Sequence, residues 1–313
     1  GGTESNDFGT DEFIAFCRLV GAEPLLVINM NLGVQHALDW LEYCNGGPET
    51  AWGARRAANG HPQPYHVRCW SIDNERWAYG AEEYARRAQG FVQAMRARQP
   101  DALIWLVGSN LANNTVFGDR PEHRFGADVV RRAPGCGDYI SLHNYWGRCT
   151  WEELSIVNLR IEAHIEKELA AYRTTPGAGR EMIALDEWNP GTTDYQSGIG
   201  AALLLNTLER CCGAVGMAAP ALWLRHVKHQ DAWDNALINF DHRGWFPSVT
   251  YLVNKLWSEQ RCPELVGAEI DAPNIEACRM QVPVIDAVAT TDAREGRLVV
   301  KLVNRDATRH ADV

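Results

Sequence analysis

Glu75 and Glu187 each close a short apolar run, the first in VRCWSIDNE (67–75) and the second in MIALDE (182–187). Runs of this length bounded by turn residues predict buried strands, and a strand that delivers one carboxylate at its C-terminal end is how α/β barrels place reacting groups. Two such carboxyls can share the cleavage of an acetal. One protonates the departing oxygen while the other attacks the carbon from the opposite side, which requires the pair to stand about 5 Å apart. A neighbouring like charge disfavours ionisation, so proximity itself lets one of two carboxyls stay protonated.

Asn74, immediately before Glu75, would set an amide beside a bound hydroxyl. His143 and Tyr145, in the run DYISLHNY (138–145), would supply hydrogen bonds that orient a nucleophilic carboxylate and favour its charged form. Trp77 and Trp188 follow the two glutamates, and indole faces suit the C–H faces of sugar rings. Taken singly, each of these residues also fits a plainer role: a loop start, a satisfied buried histidine, a packing indole. Their grouping at strand ends is what favours chemistry.

The elements that must position them alternate. Thr10 is placed to cap a helix whose apolar positions Phe13, Ile14, Phe16, Cys17 and Val20 recur at helical spacing, with Gly21 to stop it and Pro24 beyond. Strands are predicted at 24–30, 67–72, 102–108, 138–145 and 182–187, with a less regular one over 217–227. Helices are predicted around 34–44, 81–98, 151–173 and 201–212. The arginines Arg86, Arg87 and Arg96 read as a solvated helix face. Six strand-plus-helix units fall short of the eight that close a barrel, so either two precede the chain or the sheet is open. From about residue 263 the texture changes. VPVIDAVAT (282–290) and RLVVKLVNR (297–305), separated by DAREG, alternate as an antiparallel hairpin does. Residues 1–262 are expected to form the α/β part and 263–313 the beginning of a β-domain.

Composition narrows the function classes. With 313 residues and a formal net charge of −10, no basic patch is available to neutralise phosphates, which argues against a nucleic-acid partner. No stretch of eighteen apolar residues occurs, so no membrane-crossing helix is expected. The nine cysteines contain no C-x-x-C and mostly sit in apolar runs, which favours reduced thiols in a cytoplasmic enzyme over a disulfide scaffold or zinc site. His226 and His229 could share a helical face, but no third ligand stands at a recognisable spacing. There is no phosphate-binding glycine loop and no G-x-S-x-G elbow. No cofactor is called for. Asn113-Asn114-Thr115 matches a glycosylation sequon, a triplet that chance often supplies. The chain opens GGTESNDFG without an initiator Met, so upstream sequence is expected.

Over nearly its whole length the chain resembles glycoside hydrolase family 51, the α-L-arabinofuranosidases. TESNDFGTDEFIAFCRLVGAEPLLVINM resembles the family's third-strand region, and ALDWLEYCNG with NGHPQPYHVRCWSIDNE resembles the stretch leading to its acid/base. The resemblance implies a TIM (β/α)8 barrel lacking its first two strand-helix units, followed by the start of a C-terminal antiparallel β-sandwich. It implies Glu75 as acid/base with Asn74 beside it, Glu187 in LDEWN as nucleophile, His143 and Tyr145 on the sixth strand, and no cofactor. The implied partner is an arabinose-containing oligosaccharide or polysaccharide, and a homo-oligomer is compatible with it. Three departures stand out. Asp73 replaces the family's usual Gly before Asn-Glu, Pro190-Gly191 follows DEWN where another tryptophan is common, and the last strand lacks a frequent glutamine. Those departures keep a same-clan β-xylosidase or endo-glucanase, and a non-catalytic carbohydrate-binding relative, as alternatives.

Overall fold

The computed structural model describes residues 7–111, 121–229 and 234–309; the Asn113–Thr115 sequon lies outside the described residues. In chain order the elements are α1 (Thr10–Val20), β1 (Leu25–Ile28), α2 (Gly33–Asn45), α3 (Ala51–Ala58), β2 (Cys69–Ile72), α4 (Gly80–Arg98), β3 (Leu103–Leu106), α5 (Phe125–Arg132), β4 (Tyr139–Tyr145), α6 (Trp151–Thr174), β5 (Met182–Asn189) and α7 (Tyr195–Arg210). Then come β6 (Val215–Pro220), β7 (Leu224–His226), β8 (Ile238–Asp241), β9 (Gly244–Pro247), α8 (Val249–Glu259), β10 (Glu264–Val266), β11 (Asn274–Ala277), β12 (Met280–Pro283), β13 (Ile285–Asp292) and β14 (Arg297–Asn304). Strands β1 to β6 form one sheet in sequence order. The registers from β1 through β4 and from β5 to β6 are parallel. These are the six expected strand-helix units.

The chain resolves into two compact units. The first comprises Gly1–Gly108, Phe125–Ile140 and Tyr172–Glu181; the second comprises Ser109–Arg124, Ser141–Ala171 and Met182–Val313.

In the first unit, strand cores such as Ile28, Trp70, Ile72, Ile104 and Leu106 are almost wholly buried. Helix α1 begins one residue earlier than a Thr10 cap would have it. Gly9 is the capping residue, the Glu12 carboxylate accepts its N–H at 2.8 Å, and the Thr10 hydroxyl instead accepts Trp40 Nε1. Gly21 ends the helix in the left-handed region, as the sequence predicts. Helix α3, which the sequence reading passed over, supplies Arg56. This fully buried guanidinium donates to the carbonyls of Tyr43, Gly46, His61 and Pro62. A buried cation is tolerable only when its donors find partners, and here they satisfy two carbonyls left over at the end of α2 and two in the loop after α3. The arginines of α4 differ among themselves. Arg86 and Arg87 pair with Glu83 on the surface, whereas Arg96 holds Asp138 at 2.9 Å while that carboxylate also accepts Ile104 N–H. Arg96 thus braces the start of β4 against β3 and is not merely solvated.

In the second unit, α7 packs between α8 and the β13–β14 hairpin, with Ala202, Leu203, Trp257 and Val303 buried together. The expected hairpin forms in antiparallel register from Ile285↔Asn304 to Asp292↔Arg297. The less regular strand predicted over 217–227 proves to be two. β6 completes the parallel sheet, and β7 joins β8 and β9 in a separate three-stranded sheet. His226 therefore lies on a strand, where its Nδ1 accepts Lys228 N–H, and shares no helical face with His229.

Candidate active site

Glu75, Asn74 and Trp77 belong to the first unit, just past the C-terminal end of β2. Both Asp73 (φ 67°) and Glu75 (φ 53°) are in the left-handed region. For residues other than Gly this conformation is uncommon and costs on the order of 1–3 kcal/mol, and such strain clusters at working sites. Position 73 is where the resemblance leads one to expect Gly, the residue that takes up a positive φ without strain. Asp73 manages it through its side chain: one carboxylate oxygen accepts Met30 N–H at 2.8 Å, and the other accepts Asn74 N–H at 2.8 Å and forms an ion pair with Arg76, whose Nε lies 2.8 Å away. The extra carboxylate is thus buried and engaged, while Asn74 and Glu75 are exposed. Trp77 is half-buried, and its indole N–H donates to Gly108 O at 2.9 Å, which fixes the ring.

His143, Tyr145 and Glu187 meet within the second unit. The Tyr145 hydroxyl donates to Glu187 Oε1, and His143 Nδ1 lies 3.1 Å from Glu187 Oε2. Each oxygen of the carboxylate has its own partner, so its rotation is fixed. His143 is itself held through its backbone: its N–H donates to Ser109 O at 3.0 Å and its carbonyl accepts Leu111 N–H at 2.8 Å. The alternation of β4 turns Ser141, His143 and Tyr145 to one face.

Asp186 and Ser141 also belong to this cluster, and sequence reasoning missed both. Ser141 Oγ donates to Asp186 Oδ1 at 2.7 Å, and the same oxygen lies 3.6 Å from His143 Nε2. His143 is sandwiched between Asp186 and the catalytic candidate Glu187. Burial pushes the Asp186 carboxyl up to about 6, against the opposing pull of His143 and the Ser141 hydrogen bond. The signal available in sequence was the two-residue spacing of Ser141, His143 and Tyr145, opposite adjacent acids in LDE.

A raised carboxyl gives stability that is fully present below its unfolded value and is lost as pH rises through the folded value near 6. The displacement corresponds to about 3 kcal/mol on the order-of-magnitude scale of 1.36 kcal/mol per unit. Asp186→Asn, which cannot ionise, is expected to melt at a higher temperature than the wild type at pH 8 and near the wild-type temperature at pH 4. Equal melting differences at both pH values would show that ionisation of Asp186 is not what destabilises the fold.

Trp188 is a correction. It is wholly buried and stacks on Trp146 with rings 3° from parallel and centroids 6.2 Å apart, so it is core and presents no face to a sugar. The register of β5 against β6 shifts between Leu185 and Trp188, so adjacent Asp186 and Glu187 both reach His143 while Trp188 turns into the core. The Pro190-Gly191 departure also has a local cause. Gly191 (φ 84°) passes so close to Trp146 and Gly147 that an added Cβ would lie 2.8 Å from their backbone.

Comparison with known proteins finds that the chain is similar to α-L-arabinofuranosidases. The Alpha-L-arabinofuranosidase 1 domain matches residues 1–148. Alpha-L-arabinofuranosidase C of Emericella nidulans is 40% identical over 315 residues, covering 87% of this chain and 62% of that protein. An intracellular exo-alpha-(1->5)-L-arabinofuranosidase of Bifidobacterium longum is 34% identical, covering 97% of this chain and 61% of that protein. The crystal structure of alpha-L-arabinofuranosidase from Thermotoga maritima in an arabinose complex superposes with a TM-score of 0.80 at 28% identity, covering 96% of this chain and 65% of that one. The chain therefore spans somewhat less than two thirds of the length of these relatives. Over most of its length the chain is similar to the family 51 α-L-arabinofuranosidases. Its fold class is that family's (β/α)8 barrel, of which β1 to β6 are six strands, with a β-rich C-terminal part.

Proposed function

We propose that the protein hydrolyses terminal α-L-arabinofuranosyl groups of arabinose-containing oligosaccharides or polysaccharides, with retention of configuration. The observation that carries this reading is the seating of Glu187, whose two carboxylate oxygens are separately engaged by Tyr145 and His143 at the end of a parallel strand. That is how a nucleophile must be held if one oxygen is to be aimed at a carbon in a near-attack position.

In this reading the Glu187 carboxylate attacks the anomeric carbon while Glu75, past the end of β2, gives its proton to the leaving oxygen. The bond to the leaving group breaks as the bond to Glu187 forms. Glu75, now a carboxylate, then takes a proton from water, which attacks the same carbon and releases Glu187. Asn74 hydrogen-bonds the sugar hydroxyl next to the reacting carbon, and Trp77, anchored on Gly108, borders the site. Residues 1–262 form the barrel part and 263–313 the β-sandwich part. A cytoplasmic location is supported by the nine cysteines, all of them free thiols, and by the name of the Bifidobacterium relative.

A panel of aryl glycosides tests the proposal. Turnover is expected for the α-L-arabinofuranoside at least tenfold, on the order of 1.4 kcal/mol, above that for the β-D-xylopyranoside or cellobioside. Preference for either of the latter would reassign the sugar, and failure to turn over any of them would remove the hydrolase reading.

A further inference from the structure

Two left-handed residues, Asp73 (φ 67°) and Glu75 (φ 53°), flank Asn74 where the chain leaves β2 and enters a short helical turn, Arg76–Tyr79. A segment of this kind lies outside the hydrogen-bond ladders of strand and helix, so side-chain ties decide how firmly it is held. Asp73 is buried, while Asn74 and Glu75 are exposed. Glycine at position 73 would adopt the same φ without strain, but it would bring no atom with which to tie the turn.

The ties that Asp73 makes lie within the first unit. Its carbonyl accepts the Ser71 hydroxyl at 3.0 Å. One carboxylate oxygen accepts the N–H of Met30, just past β1, at 2.8 Å. The other accepts Asn74 N–H at 2.8 Å and pairs with Arg76, whose Nε lies 2.8 Å away. A single buried carboxylate therefore holds the residue before Glu75 and the residue after it against the end of β1. Further along, the Arg76 guanidinium stands 5.6 Å from the centre of the Tyr79 ring, and the Tyr79 hydroxyl donates to Asn31 Oδ1 at 2.6 Å. The turn that carries Glu75 is thus laced at both ends to Met30 and Asn31.

We infer that Asp73 is a positioning residue for Glu75: its carboxylate clamps Asn74 and Arg76, on either side of the acid/base, to the chain that follows β1. The inference rests on the proposed function, in which Glu75 gives its proton to the leaving oxygen, and extends it to the residue that aims that proton. An exposed carboxyl on an untied turn spreads over several positions, and a displacement of about 1 Å at a reacting group can cost about 100-fold in rate. The plainer role for Asp73 is that of an aspartate tolerated in a left-handed position. That role makes glycine an equal or better occupant.

The experiment compares kcat/KM for a phenyl α-L-arabinofuranoside, whose leaving oxygen needs a proton, with that for a dinitrophenyl α-L-arabinofuranoside, whose leaving oxygen does not. Asp73→Gly is expected to lower the first about 30- to 100-fold and the second less than about threefold, because general-acid assistance is worth most to a poor leaving group. Asp73→Asn keeps the size and one acceptor oxygen, and should fall between Asp73→Gly and the wild type on the phenyl glycoside. Should Asp73→Gly fail to fold, the same selective loss is read from Asp73→Asn. In Glu75→Ala protein, adding Asp73→Gly should cost less than about twofold more, since a residue that acts through Glu75 then has nothing left to aim. Wild-type activity of Asp73→Gly on the phenyl glycoside would overturn the positioning role. Equal losses on both glycosides, which a loosened fold alone produces, or losses that multiply in the double variant, would do the same. Wild-type turnover of neither glycoside would overturn the proposed function and the inference together, whereas any of the preceding three results with wild-type turnover intact would overturn the inference alone.

Discussion

Glu187→Ala is expected to lower turnover of an aryl α-L-arabinofuranoside by a factor on the order of 10⁴ or more, equivalent to about 5.5 kcal/mol of transition-state stabilisation. Removing the carboxylate removes the covalent route, and nothing else in the Tyr145–His143–Asp186 cluster can attack in its place. The fold should survive. The Glu187 side chain is 30% exposed, so water can take over its bonds to Tyr145 and His143. Added azide, small enough for the vacated space, should restore turnover and yield a β-configured glycosyl azide, the inverted product of one displacement. Undiminished turnover in a protein that melts normally would dismiss Glu187 as nucleophile. Loss of activity with no azide product would leave it as a binding group and defeat the retaining mechanism.

The second large effect is on stability. Asp286 on β13 is buried and takes Arg305 Nη2 at 2.5 Å, Arg210 Nη1 at 3.3 Å, Asn206 Nδ2 at 2.8 Å and Asn158 Nδ2 at 3.2 Å. Arg305 also donates to Ser155 O and Asn158 Oδ1, so one carboxylate links the β13–β14 hairpin to both α6 and α7. Asp286→Ala leaves a buried guanidinium without its counter-charge. Breaking a buried pair from one side costs about 3–5 kcal/mol, and at about 2–4 °C per kcal/mol the melting temperature should fall by roughly 10 °C. Asp286→Asn keeps the shape and loses the charge, and should fall between the two. A shift under about 2 °C for Asp286→Ala would mean that water or a rearranged Arg210 satisfies Arg305, and that the network is not what holds the hairpin.

Much of the fold was legible because it follows local rules. The helix ending at Gly21 had its αL stop in the sequence. Strands β1 to β6 had their apolar runs, and the β13–β14 hairpin had its alternation around a turn. What was missed had weak local signals. Helix α3 is short, with arginines inside it, and is justified only by the carbonyls that Arg56 reaches. Strands β7 to β9 carry exposed rings instead of a buried face, so their pattern does not announce a sheet.

The site divides the same way. Residue type and position at a strand end were enough to name Glu75, Glu187, His143 and Tyr145 as candidates, of which the last three meet in the second unit, because a strand's direction decides where its last side chain emerges. The order of six strand-helix units was also fixed by the sequence, through apolar runs that cannot stay in water. Only the tertiary structure decided that Trp188 is core, that Asp186 and Ser141 back His143, that Asp73 spends its carboxylate on Met30 and Arg76, and that Asp286 binds two arginines. The physical reason is distance along the chain. A strand or cap is a contest among neighbours a few residues apart, whereas burial, ion pairing and a perturbed carboxyl depend on groups brought together from dozens of positions away, which no local pattern encodes.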